Sequence, residues 1–209
     1  MSMDNNGFLP NNNVNLIRSG RAYFDLMKSY IASAKQEILI HAYIFKDDNT
    51  GSEIIKNLID ASKRKCRIYI LVDGIASSIC DHNIQKLKNS GVKINFFEPF
   101  LHSKSYYFGR RLHQKIALFD REIALVGGIN IADRYNDIFD KKAWLDFAIE
   151  IRGISVMEIF NYCKSWWNEE EWGKTYVFNK TKQDDSKYGN SKVRTRRNDW
   201  TKHLNEIST

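Results

Sequence analysis

Three apolar runs alternate with segments of helical periodicity, and this alternation constrains the fold more than any other feature of the chain. Glu37–Phe45 is almost continuously apolar, Arg67–Asp73 closes on Gly74, and Val92–Phe97 follows a helix stopped by Gly91. Runs of this length and composition read as buried strands. Between the first two, Ile54, Ile55, Leu58, Ile59 and Ala61 form one face of a helix that starts after the Asp47–Gly51 turn and ends in Lys63–Lys65. A second helix is predicted over Asp81–Asn89. Ahead of them, Ser19 is placed to cap a helix to about Lys35, with Tyr23, Phe24, Met27, Tyr30, Ile31 and Ala34 at three- and four-residue spacing. Strands separated by helices imply crossovers and parallel pairing, hence an α/β layered sheet flanked by helices.

The pattern lapses over Pro99–Arg111, a loop rich in aromatic and basic residues. Leu112–Asp120 and Glu122–Val126 follow as strands joined so tightly at Asp120-Arg121 that they must form a hairpin. After Gly127-Gly128 come a short helical piece, a strand over Trp144–Ile151, and a helix over Ser155–Glu170 with Met157, Phe160, Cys163 and Trp167 on one stripe. The expected organisation is a polar segment over 1–13, one domain over 14–172, and a charged linker or tail over 173–209.

At 209 residues and 43% hydrophobic content, the chain can bury a core of ordinary size. Its formal charge of +7 favours anionic partners, nucleic acid or anionic lipid, without choosing between them, and it serves solubility equally well. The polar opening lacks the basic and apolar regions of a leader peptide, and no stretch reaches membrane-spanning length, so any membrane contact is expected to be peripheral. Cys66, Cys80 and Cys163 lack ligand or redox spacing and read as reduced thiols.

The chemistry is concentrated in His113-x-Lys115. Residues two apart on a strand project from the same face, so an imidazole and an ammonium stand together, suited to attack on a phosphodiester and to neutralising its charge. Asp120, an odd seven residues on, faces away and is expected to shape the hairpin turn. Gly127 and Gly128 would admit a ligand close to the backbone. Asn130 would start the next helical piece, so that Lys115, Gly128 and Asn130 cradle phosphate. A carboxylate should orient His113, and Asp146, an acid among apolar neighbours, is the candidate.

The full pattern, His113-x-Lys115 with Asp120 and Gly127-Gly128-x-Asn130, resembles the HKD motif of the phospholipase D superfamily. The resemblance is strongest to the N-terminal half of bacterial cardiolipin synthases and spans about residues 14–172. It includes Ala42–Phe45, Asp48 and Gly51, Val72–Ser77, Arg110–His113, Gly127–Asp133 and Trp144–Asp146. It implies a phospholipase D-like sheet carrying one HKD half-domain, with His113, Lys115, Asp120 and Asp146 as catalytic residues. It also implies reaction through a phosphohistidine without a metal or other cofactor. The substrate would be phosphatidylglycerol, converted to cardiolipin plus glycerol at the cytoplasmic face of the cell membrane.

Family members bring two motifs to one site, whereas a single motif stands here. A second HKD half or a homodimer is therefore expected to complete it, and Val193–Ile207 resembles the opening of such a second half. The alternatives are a dimeric single-motif nuclease acting on nucleic acid, and an inactive lipid-binding remnant. His102, with Lys104 after it but no following Asp or Gly-Gly-x-Asn, reads as a loop residue. Asp47, Asp48 and Asp73 read as turn and capping residues, His41 as a departure from the family's pocket, and Trp166 and Trp172 as candidates for membrane-interface contact.

Overall fold

The computed structural model describes residues 7–97, 111–138, 140–172 and 188–196. Its elements in chain order are strand β1 (Leu9–Arg18), helix α1 (Arg21–Ser33), β2 (Glu37–Ala42), α2 (Asn49–Lys63), β3 (Arg67–Asp73), α3 (Asp81–Asn89) and β4 (Lys93–Phe97). There follow β5 (Lys115–Phe119), β6 (Ile123–Gly127), a 3-10 turn (Asp133–Tyr135), β7 (Phe147–Gly153), α4 (Ser155–Lys164), α5 (Glu169–Trp172) and β8 (Ser191–Val193). No described helix is long and apolar enough to cross a membrane.

All eight strands form one sheet in the order β4-β3-β2-β5-β6-β7-β1-β8. Parallel pairing is confined to β2, β3 and β4, the strands joined by α2 and α3. From β2–β5 outward every pairing is antiparallel. The sheet is thus mixed, because helical crossovers permit parallel neighbours whereas the two-residue turn at Asp120-Arg121 permits only an antiparallel hairpin. Both turn residues are left-handed (φ 51° and 59°), as such a hairpin requires.

Strand alternation divides the core in two. Ile38, Ile40, Ala42, Ile68, Ile70, Val72, Ala117 and Phe119 point to one face, where α1 and α2 cover them with Phe24, Met27, Ile31, Ile54 and Leu58. Leu39, Tyr69, Leu71, Leu118, Ala124 and Ile151 point to the other, against Val156, Ile159, Phe160, Cys163 and Trp167. Each fully buried Leu or Ile contributes roughly 1.5–3 kcal/mol, so this double-sided burial is the main source of stability. Trp172 is buried and stacks on Tyr69 at 4.3 Å between ring centroids, and Trp166 packs edge-on against Phe97. Trp172 is thus committed to the core rather than to the interface belt anticipated for it, while Trp166 is half-buried.

Several boundaries differ from expectation: β5 starts at Lys115 rather than Leu112, β7 at Phe147 rather than Trp144, and α4 ends at Lys164 rather than Glu170. Residues 9–13 are not a detached polar segment but belong to β1, which pairs with β7 from Asn12 to Arg18. Its asparagines hid it, yet Asn12 is fully buried and useful there. The Asn12 Nδ2 donates to the Leu9 and Pro10 carbonyls, and its Oδ1 accepts from the Ser155 N–H at the start of α4. Within the 173–209 stretch, 191–193 add β8 to the free edge of β1. Ser19 does not cap α1. Its hydroxyl donates to the Trp144 carbonyl, and Gly20 (φ 108°) takes the cap position.

Candidate active site

His113 lies two residues ahead of the first residue of β5, Lys115, at the end of the sheet where β2 and β3 also finish. The approach to it is held from β3. Asp73, 1% exposed, accepts from the Arg111 guanidinium at 3.0 and 2.7 Å and from the Leu112 N–H at 2.9 Å. It also accepts from the N–H groups of Ile75 and Ala76. Burial alone would raise the Asp73 pKa, but these donors outweigh it and hold the carboxyl below its ordinary value. Asp73 thus does the turn-capping read from sequence and also anchors the residues entering His113.

The His113 ring packs against Tyr43, with centroids 4.8 Å apart. The Lys115 ammonium lies 4.9 Å from the centre of the same Tyr43 ring and donates to the His113 carbonyl at 2.7 Å. Arg111 approaches that ring as well, at 5.6 Å. Burial, then the positive charge of Lys115, lower the His113 pKa, with Asp73 opposing. Burial likewise pulls Lys115 down to about 8, with Asp146 opposing. At neutral pH the arrangement therefore presents an uncharged imidazole beside an ammonium still largely protonated, the states a nucleophile and a phosphate-neutralising cation require.

Asp146 lies just ahead of β7, with β6 between it and the strand of Lys115. Two strand spacings amount to about 10 Å, so Asp146 acts on Lys115 through charge rather than through a hydrogen bond seen among the described residues. Its carboxylate accepts from the Phe147 N–H at 2.8 Å; no hydrogen bond to His113 is seen among the described residues. The expectation that Asp146 orients the imidazole directly is not met by this geometry.

The phosphate cradle expected from Gly128 and Asn130 is also differently built. Asn130 is buried, its Oδ1 accepting from the Ile44 N–H at 2.9 Å and its Nδ2 donating to the Tyr135 hydroxyl at 2.9 Å. It clasps 129–131 alongside 44–46, where Phe45 and Ile131 form a parallel bridge. The Gly128 and Asp133 N–H groups already donate, to the Phe147 carbonyl and to Asp48. The glycines are required by β7. A Cβ on Gly127 would meet Ala148 and the Phe147 carbonyl, and one on Gly128 would meet the Asp146 carboxylate. Lys115 is the phosphate-binding candidate whose charged group remains at the site.

Asp120 sits at the far end of β5. Its carboxylate accepts from the N–H groups of Lys35, Gln36 and Glu37 at 2.8, 2.8 and 2.9 Å, tying the hairpin turn to the α1–β2 connection. That is the structural role expected from its offset, though its partners are distant in sequence.

Tyr43 and Gln114 were not singled out by sequence reasoning. Gln114 stands between His113 and Lys115 and points to the opposite face. There its Oε1 meets His41 Nδ1 at 3.1 Å and its Nε2 donates to the Tyr162 hydroxyl of α4. His41 is 1% exposed, burial lowers its pKa to about 4, and its Nε2 has no hydrogen-bond partner. The adjacency of an aromatic to the β2 terminus was the available signal for Tyr43; nothing in the sequence pairs Gln114 with His41. His102 lies outside the described residues.

A mixed sheet with helices on both faces and a His-x-Lys pair at one end of its strands defines a phospholipase D-like domain. Residues 27–143 match the model of the cardiolipin synthase, PLD-like domain, and the chain belongs to that family. It is 27% identical over 158 residues to cardiolipin synthase B of Shigella flexneri, covering 72% of this chain and 37% of that protein. Against the cardiolipin synthase of Clostridium perfringens it is 31% identical over 159 residues, covering 75% and 33% respectively. The chain therefore spans little more than a third of these relatives' length. The fold is similar to that of the phospholipase D family member Nuc from Salmonella typhimurium, with a TM-score of 0.56, 19% identity, and coverage of 88% of this chain and 99% of that one.

Proposed function

We propose that the chain supplies one half of a phosphatidyltransferase site of the cardiolipin synthase type, acting on phosphatidylglycerol at a membrane surface. The observation that carries this reading is the pairing of His113 and Lys115 on Tyr43, with the imidazole favoured neutral and Lys115 still largely charged at pH 7.

A His113 ring nitrogen attacks phosphorus, forming an N–P bond as the bond from phosphorus to the leaving glycerol oxygen breaks. Lys115 offsets the charge that builds on the non-bridging oxygens. The leaving oxygen takes its proton from a second histidine, brought by a second HKD half or a second copy of this chain. The hydroxyl of another phosphatidylglycerol then attacks, giving up its proton to that second histidine, now neutral, as the N–P bond breaks and His113 is freed. Asp146 sustains the charge of Lys115, Asp73 and Arg111 hold the segment leading into His113, and Asp120 and Asn130 maintain the frame. Similarity to two cardiolipin synthases over most of the described domain supports the choice of substrate.

The test is turnover of phosphatidylglycerol vesicles and, in parallel, of single-stranded DNA by the purified chain, alone and with a separately supplied second half. Cardiolipin formation abolished by His113→Ala is the expected result, and formation that survives this change would remove His113 as nucleophile. A second reading, a dimeric nuclease, suits the +7 charge as well as the lipid reading does. DNA cleavage without lipid turnover would establish it instead.

A further inference from the structure

Three of the five large apolar side chains exposed among the described residues lie together on the approach to β7, Leu16 and Ile75 being the other two. Trp144 is 61%, Leu145 66% and Phe147 45% exposed, and they flank Asp146 on either side. The backbone here is fixed. Ser19 N–H donates to the Asp146 carbonyl, Asp146 N–H to the Ser19 hydroxyl, and Trp144 N–H to the Arg134 carbonyl, all within 3.1 Å. These side chains therefore project from a braced edge rather than a collapsing loop. Exposing three such groups side by side costs solubility without contributing to the fold, which marks the edge as a contact surface.

Its surroundings indicate what it contacts. A cavity of about 460 Å³ opens beside it, lined by Arg18, Lys141, Lys142, Asp137 and Asp140. Asp137 is committed to the scaffold, accepting from the Arg21 and Ala143 N–H groups at 2.9 and 3.0 Å. The Arg134 guanidinium adds a further cation, 5.0 Å from the Trp144 ring centre. Protein–protein contacts are depleted in lysine. A Trp and a Leu rimmed by Lys and Arg have instead the composition of a surface that inserts at the boundary between lipid headgroups and acyl chains while cations meet lipid phosphates.

We propose that this edge, Trp144, Leu145 and Phe147 with the cavity cations Arg18, Lys141 and Lys142, seats the chain on an anionic phospholipid bilayer. It rests on the lipid-substrate reading above and places a docked surface next to Asp146, whose charge reaches Lys115.

The experiment is co-sedimentation of the full chain with vesicles of phosphatidylcholine alone and of equal parts phosphatidylcholine and phosphatidylglycerol, with its oligomeric state measured alongside. Binding is expected to the anionic vesicles only, and to weaken roughly tenfold in Trp144→Ser/Leu145→Ser and again in Lys141→Glu/Lys142→Glu. Circular dichroism should be unchanged, because these groups are exposed.

Undiminished binding by both variants, or no binding by the unaltered chain, overturns the proposal. So does a change in oligomeric state with vesicle binding intact, which would make the edge a protein interface. Release by inorganic phosphate beyond that caused by sodium chloride at equal ionic strength would mark a free-phosphate pocket and equally overturn it. Vesicle binding without lipid turnover, even with a second half supplied, sustains this inference while sinking the proposed reaction. Turnover in detergent micelles with no vesicle binding does the reverse.

Discussion

The Lys115 ammonium lies 4.9 Å from the centre of the Tyr43 ring, the same ring against which His113 packs. One aromatic face thereby fixes the spacing of the two groups on which the chemistry depends. A cation over an aromatic face contributes about 1 kcal/mol. Tyr43→Leu is expected to lower kcat/KM about fivefold, with Tyr43→Phe close to the unaltered chain. Equal loss in both variants would assign the effect to the hydroxyl rather than the ring.

The pH dependence follows from two depressed pKa values. His113 must be neutral to attack, so kcat/KM should rise with pH through a value below the ordinary 6.5 of histidine. Lys115 must be charged, so kcat/KM should fall as pH rises through about 8. Because Asp146 opposes the lowering of Lys115, Asp146→Asn should move the alkaline limb to lower pH. A limb that stays in place in this variant would take Asp146 out of the site.

Asp120 offers a contrast between stability and activity. Removing a carboxylate that accepts three backbone N–H groups costs about 2–3 kcal/mol, which at this chain length lowers Tm by roughly 5–10 °C. Asp120→Ala should therefore melt early yet retain most of its turnover per folded molecule. A collapse of kcat at unchanged Tm would restore Asp120 to the reaction.

His41 supplies a pH-dependent term in stability. Folded, its pKa is about 4 against an ordinary 6.5, so between these values the unfolded chain binds the extra proton. Stability should decline as pH falls from about 6.5 toward 4, by an amount on the order of 3 kcal/mol. Replacing His41 with Phe should flatten that part of a Tm-against-pH curve. A curve of unchanged slope would mean that His41 is hydrated or charged in the folded chain.

Gln114 should also matter more than its place between two functional residues suggests, because it ties β5 to His41 and to Tyr162 of α4. In Gln114→Leu, kcat should fall severalfold with KM little changed, and the His113 pKa read by NMR should move toward 6.5. A lower Tm with neither change would reduce Gln114 to packing.

The strands β2, β3 and β4, the helices between them and the Asp120-Arg121 hairpin were legible because each carries a local signal: continuous apolar runs, three- and four-residue spacing, and a turn too short for anything but a hairpin. Strand β1 was not legible. Its four asparagines have low strand propensity, and it is held by pairing with β7, more than a hundred residues away. The Gly127-Gly128-x-Asn130 segment was legible as a motif but not in its role, since the space its glycines leave is filled by β7 and Asp146 rather than by an open cradle.

By itself the sequence singled out His113 and Lys115 from their two-residue offset, although β5 begins only at Lys115 and His113 precedes it. It also determined that Asp120 stands apart from them, by the same rule. Only the tertiary structure decided that Tyr43 from β2's end gathers the pair, that Asp73 on β3 anchors their approach, and that Asp146 acts on Lys115. Each of those relations joins segments distant in the chain, and they meet only when buried apolar faces on both sides of one sheet fix the order of its strands.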